Sequence, residues 1–248
     1  MGKIITVTSG KGGTGKTTSV AAISSCLAAI GHRTLCIDCD VGLRNLDITL
    51  GMTDYSVADF SDVLDGALSL EEACHEHPSI PKLFFLSAPV FREVSGIDSK
   101  AMDALYGEAR EKFDYCLIDS PAGVGSGFRL AFQRADVAVV VATGDQMSVR
   151  GAQRAAAILL EAGIGEIRLL VNRVSPRRFK RLSSTVDDVI DSVGAQLLGI
   201  VDEDESVFTA GASGVPLVLH SSGQASRQFL DAARRLSGED VPFRNIWR

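Results

Sequence analysis

The sequence predicts an α/β fold in which a mostly parallel, twisted sheet carries helices on both faces. Short apolar runs alternate with helical patterns along the chain, and several of these runs are continuous rather than alternating. Continuous apolar strands are typical of a sheet that is covered on both faces. The alternation of strand and helix implies right-handed crossovers between parallel strands. Because no linker or repeat interrupts the pattern, we expect one domain over residues 1–248, with 238–248 as a short C-terminal tail.

The predicted elements follow one another regularly. The strand-like runs are residues 4–8, 34–39, 83–87, 115–119, 137–142, 167–172 and 197–201. The helical stretches are residues 16–30, 100–112, 149–162, 185–193 and 224–236. Gly31 and Gly163 stand where helix C-caps belong. Since ligands of such sheets bind at the carboxyl ends of the strands, we expect the functional residues in the loops that follow the strands.

The composition limits the class of protein. With 46% hydrophobic and 23% charged residues, the chain is typical of a soluble globular protein. A formal net charge of −6 argues against a protein whose whole surface coats nucleic acid. No apolar run approaches the ~18 residues that a membrane-spanning helix needs, and the N-terminal segment is too short for a signal peptide. We therefore expect a cytoplasmic protein.

The cysteines predict core packing rather than chemistry. There are five, an odd number, which argues against a disulfide framework. Cys36 and Cys39 have the spacing of a metal or redox pair. They lie in a predicted strand, however, where positions i and i+3 point to opposite faces of the sheet.

A glycine-rich loop follows the first predicted strand. It comprises Gly10, Lys11, Gly12, Gly13, Thr14, Gly15, Lys16, Thr17 and Thr18 and fits the pattern G-x-x-x-x-G-K-[ST] between a strand and a helix. Glycines let successive backbone N–H groups converge on phosphate oxygens at a helix N-terminus. Lys16 would neutralise the β- and γ-phosphates, and Thr17 offers a hydroxyl to Mg²⁺. The chain is thus predicted to be a P-loop NTPase domain that binds a nucleoside triphosphate with Mg²⁺.

Carboxylates follow two other predicted strands. Asp38 and Asp40 come at and after the end of the second strand, and Asp119 ends the apolar run 115–119. A lone aspartate at a strand end is more often a turn residue. Beside a phosphate loop, however, Mg²⁺ and an attacking water require carboxylates. We therefore predict a metal site formed by Thr17, Asp38, Asp40 and Asp119.

The second lysine of the loop, Lys11, distinguishes it from a simple phosphate loop. The run 11–17, KGGTGKT, resembles the deviant Walker A motif of the MinD/ParA family of dimerising ATPases. Residues 38–47 resemble the family's switch I, and residues 119–123 its Walker B and switch II, both nearest to the MinD branch. Similar residues also occur at 148–150, 172–173, 203–207 and 242–244. The resemblance covers nearly the whole chain.

The resemblance implies an ATP-dependent switch that hydrolyses ATP to ADP. In the family, ATP brings two subunits face to face, so Lys11 would act in trans on the nucleotide of the partner subunit. Lys16 would act in cis, Asp40 would orient the attacking water, and Asp119 would hold Mg²⁺ through water.

The resemblance also implies where the base binds. Asn172 would read the adenine edge, with Val201, Asp202 and Asp204 beside it. From the residues alone, Asn172 is equally a turn residue at a strand end.

Three positions depart from the family pattern. Gly125 stands where the MinD branch commonly has Glu, in the region that contacts a MinC-like partner. Gly151 stands where it commonly has an Asp that pairs with the signature lysine in the resting state, and Asp202 replaces a common proline. After residues 242–244 we expect no C-terminal amphipathic helix, so membrane contact would be limited to side chains such as Trp247.

We therefore expect a homodimerising, Mg²⁺-dependent ATPase that places the division site, with slow hydrolysis stimulated by a partner. One alternative is a ParA-like protein that partitions DNA or cargo, in which the basic loop 177–181 would bind DNA weakly. Flagellar positioning is another. An iron–sulfur carrier is disfavoured because the last cysteine, Cys116, lies inside a predicted strand.

Overall fold

The strands form one sheet with a nearly uniform direction. The computed structural model describes residues 1–41, 43–55, 57–90, 96–182 and 184–243. Within them the strands are β1 Lys3–Thr8, β2 Thr34–Asp38, β3 His75–Glu76, β4 Leu83–Leu86, β5 Tyr115–Asp119, β6 Val137–Ala142, β7 Glu166–Val174 and β8 Gln196–Asp202. They are ordered β3-β4-β2-β5-β1-β6-β7-β8, and every pair is parallel except β3–β4. The predicted α/β class with a mostly parallel sheet is confirmed.

The helices connect the strands and cover the sheet. They are α1 Lys16–Ala29, α2 Leu46–Leu50, α3 Phe60–Leu64, α4 Leu70–Ala73, α5 Ser99–Lys112, α6 Ser126–Phe132, α7 Gln146–Glu161, α8 Pro176–Leu182, α9 Val186–Val193, α10 Glu205–Ser213, α11 Leu217–His220 and α12 Gln224–Leu236. The five predicted helices correspond to α1, α5, α7, α9 and α12. The two-residue edge strand β3 and helices α2, α3, α4, α6, α8, α10 and α11 were not predicted, because most of these segments are too short to show a periodic pattern.

Apolar side chains pack on both faces of the sheet. One cluster joins α1 and α12 to one face, and two clusters join α5, α7 and α9 to the other. Cys36 belongs to the first cluster and Cys39 lies on the opposite face. All five cysteines are buried and free, so the prediction of core packing for the cysteine pair is confirmed.

The basic run 177–181 is part of a helix, α8, rather than a loop. Phe179 is buried and packs so closely on Gly144 that a Cβ atom there would lie 2.5 Å from the phenylalanine ring. Phe179 thus anchors a helix whose other side chains are mostly charged. Sequence periodicity could not show it, because the contact joins segments 35 residues apart.

The chain after α12 turns back along that helix. The guanidinium of Arg235 donates hydrogen bonds to the carbonyls of Val241 at 2.8 Å and Pro242 at 3.1 Å, and it stacks on the Phe243 ring at 4.0 Å. Trp247 and the expected absence of an amphipathic helix lie outside the described residues. In the described part of the chain, no helix has the length and apolar character needed to cross a membrane.

Candidate functional site

Three central strands bring the predicted site together at the carboxyl edge of the sheet. β1 pairs with both β5 and β6, so the loop after β1 leaves from the middle of the sheet. β2 pairs with β5 in a register that sets Asp38 beside Asp119. The phosphate loop and both strand-end carboxylates therefore meet at one edge, as the parallel topology requires.

The loop surrounds open space. Gly13 and Gly15 adopt left-handed backbone conformations with φ of 79° and 96°, which residues with a Cβ rarely adopt. A Cβ atom on Gly12 or Gly13 would meet nothing within 4 Å. At the end of the loop, Lys16 begins α1 and is only 8% exposed despite its charge. Lys16 thus places a buried positive charge beside the open space inside the loop. An anionic phosphate group bound there would neutralise that charge.

Asp119, a predicted metal ligand, is buried at the end of β5. Its Oδ1 is buried and has no hydrogen-bond partner among the described residues, and the Thr17 side chain lies near the same carboxylate. Burial, and then the nearby Asp38 charge, raise the pKa of Asp119. An unpartnered buried carboxylate oxygen next to a hydroxyl fits a hard divalent cation.

No group of three or more His, Cys, Asp or Glu side chains in the described chain could hold a metal alone. Thr17 and Asp119 therefore fit Mg²⁺ only with further oxygens from phosphate and water, which is how this ion commonly binds beside nucleotides.

Asp38 is engaged with the loop that follows β2. Its Oδ1 accepts the N–H of Asp40 at 2.8 Å, and its Oδ2 accepts the N–H of Leu46 at 3.2 Å. Asp38 thus ties both ends of residues 40–46 to the strand end beside Asp119, and its assignment as a metal ligand stays a prediction. Asp40 is less buried; burial raises its pKa, and the Lys16 charge counteracts this.

Lys11 is held by an acidic residue that the sequence analysis missed. Its Nζ lies 3.1 Å from Oδ1 of Asp145, and about two fifths of each side chain is exposed. Asp145 also accepts hydrogen bonds from the Thr143 hydroxyl at 2.7 Å and the Ser148 N–H at 3.1 Å, which caps α7. Burial alone would raise the pKa of Asp145, but the bonds from Thr143, Ser148 and Lys11 outweigh it and lower the pKa.

Gly151, where the family commonly has Asp, makes a close backbone contact instead. A Cβ atom on Gly10 would lie 1.9 Å from the carbonyl carbon and oxygen of Gly151, and one on Gly151 would lie 2.8 Å from the Gly10 carbonyl carbon. The contact seats α7 directly against the start of the phosphate loop. The acidic partner of Lys11 therefore comes from the N-cap of this helix, Asp145, and not from position 151.

A cleft of about 530 Å³ leads from the phosphate loop toward α10. Gly15 and Thr18 lie at one end of it, and Asn172, Asp202 and Asp204 line it. The cleft therefore brings together three of the four residues that the resemblance placed around the base.

The polar groups of the cleft are already positioned. The Asn172 side chain donates to the Thr14 carbonyl at 2.8 Å, so it also fixes the loop. Asp202 accepts hydrogen bonds from Gln224 and, at 3.1 Å, from Gln228, while Asp204 caps α10 through the Ser206 N–H.

The side chain of Val201 does not line this cleft. Val201 is 1% exposed and packs in the core. Strand alternation accounts for this, since neighbouring residues of β8 point to opposite faces. The cleft also contains residues that the sequence did not single out, including Arg173, with a φ of 54°, and Phe208.

The fold and the loop together define a P-loop nucleotide-binding protein. Residues 5–217 match the CobQ/CobB/MinD/ParA nucleotide binding domain, and the chain belongs to this family.

Several relatives with similar sequences and structures are division proteins. The septum site-determining protein MinD of Synechocystis sp. is 38% identical over 245 residues, which cover 98% of this chain and 92% of that protein. MinD in the MinC:MinD cell division protein complex of Aquifex aeolicus has a TM-score of 0.87 at 35% identity and covers 98% of each chain. MinD of Pyrococcus horikoshii complexed with Mg-ADP has a TM-score of 0.85 at 27% identity, with 95% of this chain and 96% of that chain covered.

Proposed function

We propose that this chain is a MinD-type ATPase, a dimerising switch that acts in positioning the division site. The observation that supports this most is that the two lysines of one phosphate loop differ in burial and in contacts. Lys16 is buried at the start of α1, whereas Lys11 is partly exposed and bonds to Asp145 outside the loop. Lys16 serves the phosphates bound by its own loop, and Lys11 remains available for those of a second copy.

Hydrolysis follows from the groups around the loop. The backbone of residues 12–16 and Lys16 would hold the β- and γ-phosphates, and Thr17 and Asp119 would hold Mg²⁺, which would neutralise charge on the transferred phosphoryl group. Asp40 orients the water that attacks the γ-phosphorus, so that ATP and water give ADP and phosphate. Lys11 from the partner subunit neutralises the charge that develops in the transition state.

Nucleotide state is communicated through Asp38. Asp38 accepts hydrogen bonds from N–H groups at both ends of residues 40–46 and lies beside Asp119 across the β2–β5 pair. A shift of Asp119 between nucleotide states would therefore move Asp38 and the loop that is bonded to it. The loop and α2 then provide a surface that differs between the ATP and ADP states.

A MinC-like protein is the partner that fits such a switch, given the MinC:MinD assembly of the structural neighbour. Gly125 precedes α6 as its N-cap without a side-chain hydrogen bond. A partner that relies on an acidic side chain at that position would have to gain its contacts elsewhere.

Asp40→Ala is expected to trap the ATP-bound dimer, because ATP still binds but water is no longer oriented. Turnover should fall by roughly 100-fold or more, as for the loss of a positioned catalytic group. The mass of the variant with ATP and Mg²⁺, measured by light scattering after gel filtration, should stay dimeric. Asp54→Ala, a change at an exposed carboxylate, is the control. An Asp40→Ala protein that stays monomeric with ATP would contradict the switch.

Asp145→Asn is expected to favour the dimer, because it weakens the bond that holds Lys11 within its own subunit. Asparagine still caps α7, so thermal stability should change little. An exposed ion pair contributes about 0.2–1 kcal/mol, so half-maximal dimer formation should need up to about fivefold less ATP. Asp187→Asn, at another exposed aspartate, should leave the ATP requirement unchanged. An unchanged or higher ATP requirement in Asp145→Asn would count against this role of Asp145.

A further inference from the structure

Phe208 is exposed to solvent, unlike the phenylalanines that pack in the core. It is 76% exposed, whereas Phe128, Phe179 and Phe229 are at most 6% exposed. It lies on α10 and lines the cleft that begins at Gly15 and Thr18 of the phosphate loop. A large aromatic ring is therefore in contact with water at the place where a nucleotide bound to the loop would extend.

Small residues lie next to this ring on α10. Phe208, Gly211 and Ala212 are spaced i, i+3 and i+4, which places them on one face of α10, and all three line the cleft. A Cβ atom on Gly211 would meet nothing within 4 Å. The two small residues thus leave room for a planar group beside the Phe208 ring.

The cleft also has polar lining residues. Asn172, Arg173 and residues 202–204 line it from the ends of β7 and β8. A site lined by both an exposed aromatic ring and polar groups suits a ligand with an apolar face and a hydrogen-bonding edge. A nucleobase has both, and its phosphates have their own site on the loop.

We propose that Phe208 stacks on the base of the bound nucleotide and so raises the affinity for ATP and ADP without touching the phosphates. This inference rests on the proposed function, because it needs a nucleotide whose phosphates occupy the loop. It adds a positioning residue that neither the phosphate loop nor the strand-end rule identifies.

The test is the binding of ADP, ATP and inorganic tripolyphosphate, each with Mg²⁺, to the full chain by isothermal titration calorimetry. Loss of a base–aromatic stack typically weakens binding by about tenfold. Phe208→Ala should therefore bind ADP and ATP about tenfold more weakly and tripolyphosphate as the wild type does. Phe208→Tyr should retain wild-type affinity. Leu160→Ala, at a 67% exposed residue on α7, is the matched control and should change nothing.

Four results would overturn the inference. If Phe208→Ala bound ADP as tightly as the wild type does, no stack would form between Phe208 and the base. The proposed function would still stand in that case, because the wild-type chain would still bind ADP. A loss with ATP alone would make Phe208 a contact between subunits. An equal loss with tripolyphosphate would show that the substitution disturbs the loop. If the wild-type chain bound none of the nucleotides, the proposed function would fail with it.

Discussion

Lys16→Ala is expected to abolish measurable binding of ATP and ADP, whereas Lys11→Ala should keep nucleotide binding and lose dimer formation and turnover. Lys16 is 8% exposed beside the open cradle of the loop, so its removal leaves the phosphate charge without a buried counterion. Hydrogen bonds to charged groups contribute about 1.5–3 kcal/mol each. Two such contacts to phosphate predict a loss on the order of 100-fold or more in affinity.

Lys11 separates the two functions of the loop. In the single chain it bonds to Asp145 at 3.1 Å rather than to any group of its own loop, so ADP affinity should remain near that of the wild type in Lys11→Ala. Titration calorimetry with ADP measures binding, and phosphate release measures turnover. Lys180→Ala, an exposed lysine of α8, controls for loss of charge. Normal ATP hydrolysis by Lys11→Ala would refute its action in trans.

Gly10→Ala is expected to destabilise the fold and displace the phosphate loop. The added methyl group would lie 1.9 Å from backbone atoms of Gly151, so the loop and α7 must separate. Overpacking of this kind costs roughly 1–3 kcal/mol or more. For a chain of this size that corresponds to a decrease in Tm of about 3–10 °C. Nucleotide affinity should fall as well, because the displaced backbone no longer converges on the phosphates.

Gly12→Ala is the matched control. It lies two residues away in the same loop, and a Cβ atom there meets nothing within 4 Å. Its Tm without nucleotide, measured by circular dichroism, should match that of the wild type. If Gly10→Ala and Gly12→Ala had the same Tm, the contact between Gly10 and Gly151 would not hold the loop in place.

The central part of the site could be predicted from sequence because it depends on the spacing of nearby residues and on the positions of strand ends. The spacing of Gly10, Gly15 and Lys16 indicates a phosphate loop without any tertiary information. Parallel strands then require that Asp38 and Asp119 meet this loop at one edge. The same rule would have found Asp145, which follows the strand β6 by three residues, had it been applied to every strand end.

What sequence missed depends on contacts between distant segments. Phe208 is exposed because α10 places it at the cleft. The position of α8 depends on the contact between Phe179 and Gly144. Neither contact leaves a periodic pattern. The partner of Lys11 could not be predicted from the family pattern, which has an acidic residue at position 151, because the backbone contact of Gly151 with Gly10 leaves no room for a side chain there.

The most direct test of the central claim is the mass of the wild-type chain in solution with Mg²⁺ and either ATP or ADP. Multi-angle light scattering after gel filtration gives that mass independently of shape. Since one chain has a mass of 26.3 kDa, an ATP-dependent switch predicts twice that mass with ATP and a single-chain mass with ADP. The same mass with both nucleotides, whether monomer or dimer, would contradict a switch that ATP drives.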